Sequence, residues 1–122
     1  MDLSDPSASE PQEVGSGGEV ILVLIMTPTT DEANTIARKL LEGRLAACVN
    51  IVPQVRSLFW WEDKLSEEDE VLLMVKSRRS KFRALVLEVK ALHSYRVPEI
   101  IALPIVEGSA SYLQWIDDST SS

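Results

Sequence analysis

Cysteine and histidine each occur once in this chain of 122 residues. One thiol cannot close an intramolecular disulfide, so no disulfide framework points to export. A closed zinc site needs paired spacings such as CxxC or HxxxH, and neither is present, so no such site is expected within one chain. The five glycines form neither GxGxxG nor GxxxxGK, so a phosphate-cradling loop is missing. The apolar run at residues 20–26 is too short to cross a bilayer, and no membrane partner is expected. The N-terminus lacks a basic region followed by an apolar stretch, so no secretory signal is expected and a reducing, cytoplasmic setting is the default. Basic charge is also short: the net charge is −7, which disfavours nucleic acid as a partner.

What is present is ordinary material for one folded domain, with 45% apolar and 25% charged residues. Residues 1–18 stand apart. They are rich in Ser, Pro, Gly and Glu, and Asp2, Asp5, Glu10 and Glu13 supply much of the net charge. Such a stretch buries too little apolar surface to offset its ordering entropy, so a disordered acidic tail is expected there, with the domain over 19–122.

The domain reads as alternating strands and helices. The unbroken apolar run at 20–26 suits a strand buried on both faces. Thr29 and Glu32 fit a capping box, and Ala33, Ile36, Ala37, Leu40 and Leu41 follow at helical spacing, with Gly43 as the stop. A strand over 46–61 is unusually long, so Pro53 belongs at an edge or a bulge. Glu62, Asp63 and Lys64 make a polar turn, and the acidic run Glu67 to Glu70 reads as a solvated continuation of it. Residues 71–76 form the next strand, antiparallel by hairpin logic. Ser80 can cap a helix whose apolar face is Phe82, Leu85, Val86, Val89 and Leu92. A strand over 100–106 and a short helix opened by Gly108 and Ser109 complete the order. This β-α-β-β-α-β pattern is the ferredoxin-like α+β sandwich, with two helices on one face of a four-stranded antiparallel sheet and a short C-terminal helix added. The other face asks for a cover, and self-association is the simplest.

Few side chains advertise chemistry. Cys48 lies in an alternating strand, where a free cysteine behaves as a small buried hydrophobe. Pairing it with His93 would give a nucleophile and base, yet no activating motif surrounds either residue. His93 ends a helix, where capping and dipole compensation are its plain roles. Lys76 closes an apolar strand and reads either as a solvent-seeking lysine or as an ammonium facing an anion. Glu70 and Glu99 are open in the same way. Residues 20–26 and 71–76 lack the aromatics that RNA binding on such a sheet requires.

Five segments occur in an order and spacing that resemble one family: EGRLAACVNIVP, SLFWWEDKL, EVLLMVKS, SYRVPEIIALPI and SYLQWI. The chain resembles the CutA1 family of divalent-cation tolerance proteins over about residues 19–118. The resemblance implies a ferredoxin-like domain in a compact, PII-like homotrimer with no established reaction. It further implies binding of copper or another divalent cation. The family's proposed copper ligands, a cysteine and a histidine pair, fall here on Met26 and on Leu92-His93, so only His93 matches, while Met26 offers a thioether suited to Cu(I). Cys48, Trp61, Lys76, Tyr95, Glu99, Tyr112 and Trp115 fall on family motif positions, and with Glu70 are expected to line a cleft between subunits. Two alternatives stay open: a PII-like sensor taking a small anionic metabolite through Lys76, and a small-molecule hydrolase using Cys48 and His93.

Overall fold

The longest secondary structure is a β-hairpin. In the computed structural model, which describes residues 11–13 and 19–121, strand β3 (Cys48–Trp61) pairs antiparallel with β4 (Lys64–Arg78). Strand β2 (Val20–Thr27) pairs with β4 on one side and with β5 (Ile100–Pro104) on the other. The four strands lie in the order β3-β4-β2-β5, all antiparallel. Helices α1 (Thr30–Glu42) and α2 (Phe82–Leu92) cover one face, and α3 (Ala110–Ser119) follows at the C-terminus.

The core follows from strand alternation. Val23 and Ile25 of β2 and Leu73 and Val75 of β4 are fully buried beneath Ile36 and Leu40 of α1 and Leu85 and Val89 of α2. Each such side chain contributes roughly 1.5–3 kcal/mol on burial. Residues of opposite parity, including Leu22, Leu24, Leu72 and Met74, point to the other face and are only partly covered. At one end α3 supplies that cover, with Leu113 and Ile116 packing on Val20.

Several boundaries differ from the sequence reading, each for a local reason. Strand β4 begins at Lys64, so the acidic run lies in a strand and pairs across it, Arg56 opposite Asp69 and Ser57 opposite Glu68. This end of the hairpin extends past the helices and is largely exposed, so its sequence carries no apolar alternation. Gly43 keeps φ at −83°, and Arg44 takes the left-handed conformation at φ 58°. Leu45 N–H donates to Leu40 O at 2.9 Å and Arg44 N–H to Leu41 O at 3.1 Å, a Schellman closure one residue beyond the expected stop. Ser80 does not cap α2. A 3-10 turn at Arg79–Lys81 leads into the helix, and the N-cap residue is Lys81 without a side-chain bond.

Of the expected strand 100–106, β5 covers Ile100–Pro104, and a separate short strand β6 (Glu107–Ser109) follows two residues later. Strand β1 (Pro11–Glu13) pairs antiparallel with β6, a ladder that the tail's composition gave no sign of. The remainder of the 1–18 tail lies outside the described residues.

Candidate functional site

A bulge decides which side chains meet. Val52 faces Leu72 and Val55 faces Glu70, so β3 carries one residue more than β4 around Pro53. Proline has no N–H for the ladder, and this strand is the sheet edge, where the interruption is cheapest. Because side chains alternate, one extra residue turns every later one over. Cys48, Asn50 and Val52 share the open face before the bulge, opposite Lys76, Met74 and Leu72. After it, Ser57, Phe59 and Trp61 take that face, opposite Glu68, Ser66 and Lys64.

The turned-over residues form one wall of a cleft of about 880 Å³. Residues 95–97 and 99, beyond α2, form the other. Met26, Phe59, Trp61, Glu70, Tyr95 and Glu99 all line it. Glu70 is its least ordinary member. The residue is only 6% exposed, yet it carries a carboxylate. Its Oε2 accepts one hydrogen bond, from the Tyr95 hydroxyl at 2.9 Å. Among the described residues no basic side chain forms an ion pair with it. The only sealed and unbonded side-chain oxygen or nitrogen among them is Ser111 Oγ, so the second oxygen of Glu70 is not sealed off, and the residue lines the cleft. Burial, the bond to Glu70 and the negative charges of Glu70, Glu68 and Glu32 all push the Tyr95 phenol well above its ordinary pKa. Tyr95 therefore remains a donor.

His93 holds Tyr95 in place. Its side chain is fully buried. A carbonyl can only accept and a backbone N–H can only donate, which fixes the tautomer: Nε2–H donates to Met26 O at 2.7 Å, and Nδ1 accepts from Tyr95 N–H at 3.0 Å. Glu32 completes the corner. Its backbone N–H donates to Thr29 Oγ1 at 3.1 Å, as a capping box requires, but its carboxylate turns away to accept from Ser94 N–H at 3.1 Å and lies 3.3 Å from His93 Nδ1. His93 and Met26 do meet, through the Met26 carbonyl. As a metal ligand His93 would have to surrender one of its two bonds.

Cys48, Lys76, Tyr112 and Trp115 do not line this cleft. Lys76 is six residues from Glu70 along β4, about 20 Å on an extended strand. Directly across from Cys48, it places Nζ 4.0 Å from the thiol and bonds Asn50 Oδ1. Burial, followed by the neighbouring Cys48 thiol, raises the pKa of the Tyr112 phenol. Trp115 packs on Tyr112 with ring centroids 5.5 Å apart. The residues expected in one cleft thus form two groups within the chain. Cys48 pairs at the Lys76 end of the sheet and His93 bonds at the Met26 end, so the hydrolase dyad is not assembled. Sequence reading passed over Asn50, which shares a strand face with Cys48 at i+2, and Glu68, which shares one with Glu70.

The strand order, the two helices on one face and the cleft at the end of an overlong hairpin define a ferredoxin-like α+β protein. Residues 21–119 match the family model for the CutA1 divalent ion tolerance protein. The divalent-cation tolerance protein CutA of Thermus thermophilus is 50% identical over 99 residues, covering 81% of this chain and 96% of that protein. Mouse protein CutA is 40% identical over 125 residues, covering 100% of this chain and 71% of its own length. Among solved structures, Cut A1 from Thermus thermophilus superposes with a TM-score of 0.82 at 49% identity, covering 84% of this chain and 99% of that one. CutA from Synechococcus elongatus gives 0.87 at 28% identity, covering 94% and 99%. The chain belongs to the CutA1 family.

Proposed function

We propose that this protein is a non-enzymatic homotrimer, PII-like in build and cytoplasmic, that binds divalent cations, copper or another, as part of the response to them. The observation that supports the cation reading is Glu70: a buried carboxylate with one neutral partner, open to a cleft that also holds Glu68 and Glu99. Buried charge demands a counter-charge, and among the described residues no basic side chain lies within ion-pair distance of Glu70.

Within one chain the donors do not fit a resident ion. Among the described residues no three His, Cys, Asp or Glu side chains gather to hold a metal, and both His93 nitrogens are engaged. Binding in this reading is weak within one chain and gains donors only from a neighbouring subunit. The anion-sensor alternative calls on Lys76 in a cleft between subunits; within one chain Lys76 lies outside the Glu70 cleft and bonds Asn50.

Calorimetry tests the proposal with Cu(II), and with Cu(I) under reducing conditions. Glu70→Gln should weaken binding by about tenfold or more, as expected for loss of a charge-assisted contact. His93→Ala should lower the melting temperature yet leave affinity nearly unchanged. Equal binding by wild type and Glu70→Gln would remove the cleft carboxylate from the reading. A large loss confined to His93→Ala would restore His93 as the ligand.

A further inference from the structure

We propose that the cleft takes a small organic ammonium ion, with Glu70 as its counter-charge and the rings of Phe59 and Trp61 as its walls. This goes beyond divalent-cation binding and rests on the same premise, that the cleft is a cation site. The choice between a metal ion and an organic cation follows from the lining. A divalent ion needs several convergent donors, and one chain does not gather three. An ammonium needs one carboxylate to accept its N–H groups and apolar or aromatic surface for its carbon frame.

The cleft offers that combination. Glu70 is a buried carboxylate that lines it and has one hydrogen-bond partner among the described residues, the Tyr95 hydroxyl. Met26 and Val97 are apolar, and Phe59 and Trp61 present rings, whose faces attract cations. The volume of about 880 Å³ is in the range of small-molecule sites. Two arginines also line it, and neither cancels the preference. Arg56 is paired with Glu67, outside the cleft wall. Arg96 stands exposed against Glu68, Glu70 and Glu99, leaving the lining negative. Tyr95 occupies one oxygen of Glu70 and competes with a ligand for it.

A charge-swapped pair of probes, benzylammonium and benzoate, isolates the charge at nearly constant shape. Titration of the full chain is followed by tryptophan fluorescence and by calorimetry, with circular dichroism confirming that each variant is folded. Benzylammonium should bind saturably and benzoate should not. Glu70→Gln should weaken benzylammonium by about tenfold or more. Phe59→Leu should weaken it several-fold while keeping the preference for positive charge, and provides a second reading if Glu70→Gln fails to fold. Tyr95→Phe should leave binding intact or tighter, since it frees the second oxygen. Benzoate binding as well as benzylammonium, or benzylammonium binding indifferent to both Glu70→Gln and Phe59→Leu, would overturn the inference. Copper binding that depends on Glu70 with no benzylammonium binding would overturn it and leave the divalent-cation reading standing. Failure of both cations would remove the cleft from either role.

Discussion

The Tyr95 hydroxyl meets Glu70 in a setting that opposes a second negative charge. Burial, the hydrogen bond and three neighbouring carboxylates act in the same direction on this phenol, and burial and the Cys48 thiol act likewise on Tyr112. These are the only two tyrosines in the chain. A free tyrosine is half ionised at pH of about 10, so tyrosinate absorbance of the native protein at that pH should be far below that of the protein in denaturant. The linkage sign follows. A folded pKa raised above the unfolded one stabilises the native state fully below about pH 10, and that contribution is lost as pH rises through the folded value. Stability should therefore fall on the alkaline side, and Tyr95→Phe should flatten part of the fall. Half-ionised tyrosines in the native protein at pH 10 would contradict the partly buried, charge-opposed placement of both rings.

At the scale of elements the hairpin carries its own strain. Glu62 and Asp63 connect β3 to β4 with φ of 50° and 63°, the two left-handed positions of a type I′ turn. Neither residue is the preferred choice, and each left-handed non-glycine costs up to roughly 1–2 kcal/mol. Replacing the pair by Asn-Gly should raise stability by about 1 kcal/mol, read as a shift of the denaturation midpoint at constant slope. An unchanged or lower midpoint would mean that the turn conformation is set by contacts of Glu62 or Asp63. The same hairpin shows where sequence reading works and where it stops. Pro53 in a long strand announced a bulge, because a missing N–H is a local fact. The consequence of that bulge, Phe59 and Trp61 turned onto the face of Glu70, depends on counting residues on two strands at once. The acidic half of β4 carries no apolar period to mark it as a strand, because Glu67, Glu68 and Asp69 are exposed and the one buried position is the carboxylate Glu70. The capping box was legible in Thr29 and Glu32, but half of it was redirected: the Glu32 carboxylate reaches Ser94 and His93, contacts 62 residues or so away in sequence that no local pattern encodes.

For the molecule as a whole, two groups stand out among the exposed apolar side chains. Trp60 is 74% exposed, Leu65 65%, Leu58 61% and Trp61 46%, all at the hairpin end beyond the helices. Ile101 and Leu103 are exposed on β5, the opposite edge of the sheet. A hairpin bearing large side chains at one edge and an apolar strand at the other suit a head-to-tail arrangement, which closes as a ring when the rotation permits. Covering what the two tryptophans still expose removes roughly 300 Å² from water, worth on the order of 7 kcal/mol before costs. Association itself costs about 4–15 kcal/mol, so these rings alone bring assembly near balance and the remaining apolar contacts decide it. Wild type should sediment as a trimer at micromolar concentration. Trp60→Glu combined with Leu65→Lys should shift it toward monomer while the far-ultraviolet spectrum is retained, because neither side chain belongs to the core beneath α1 and α2. Arg83→Ala, on an exposed turn of α2, should leave the trimer intact. A folded wild-type monomer at that concentration would sink the assembly, and an unperturbed trimer in the double variant would move the interface away from the hairpin tip.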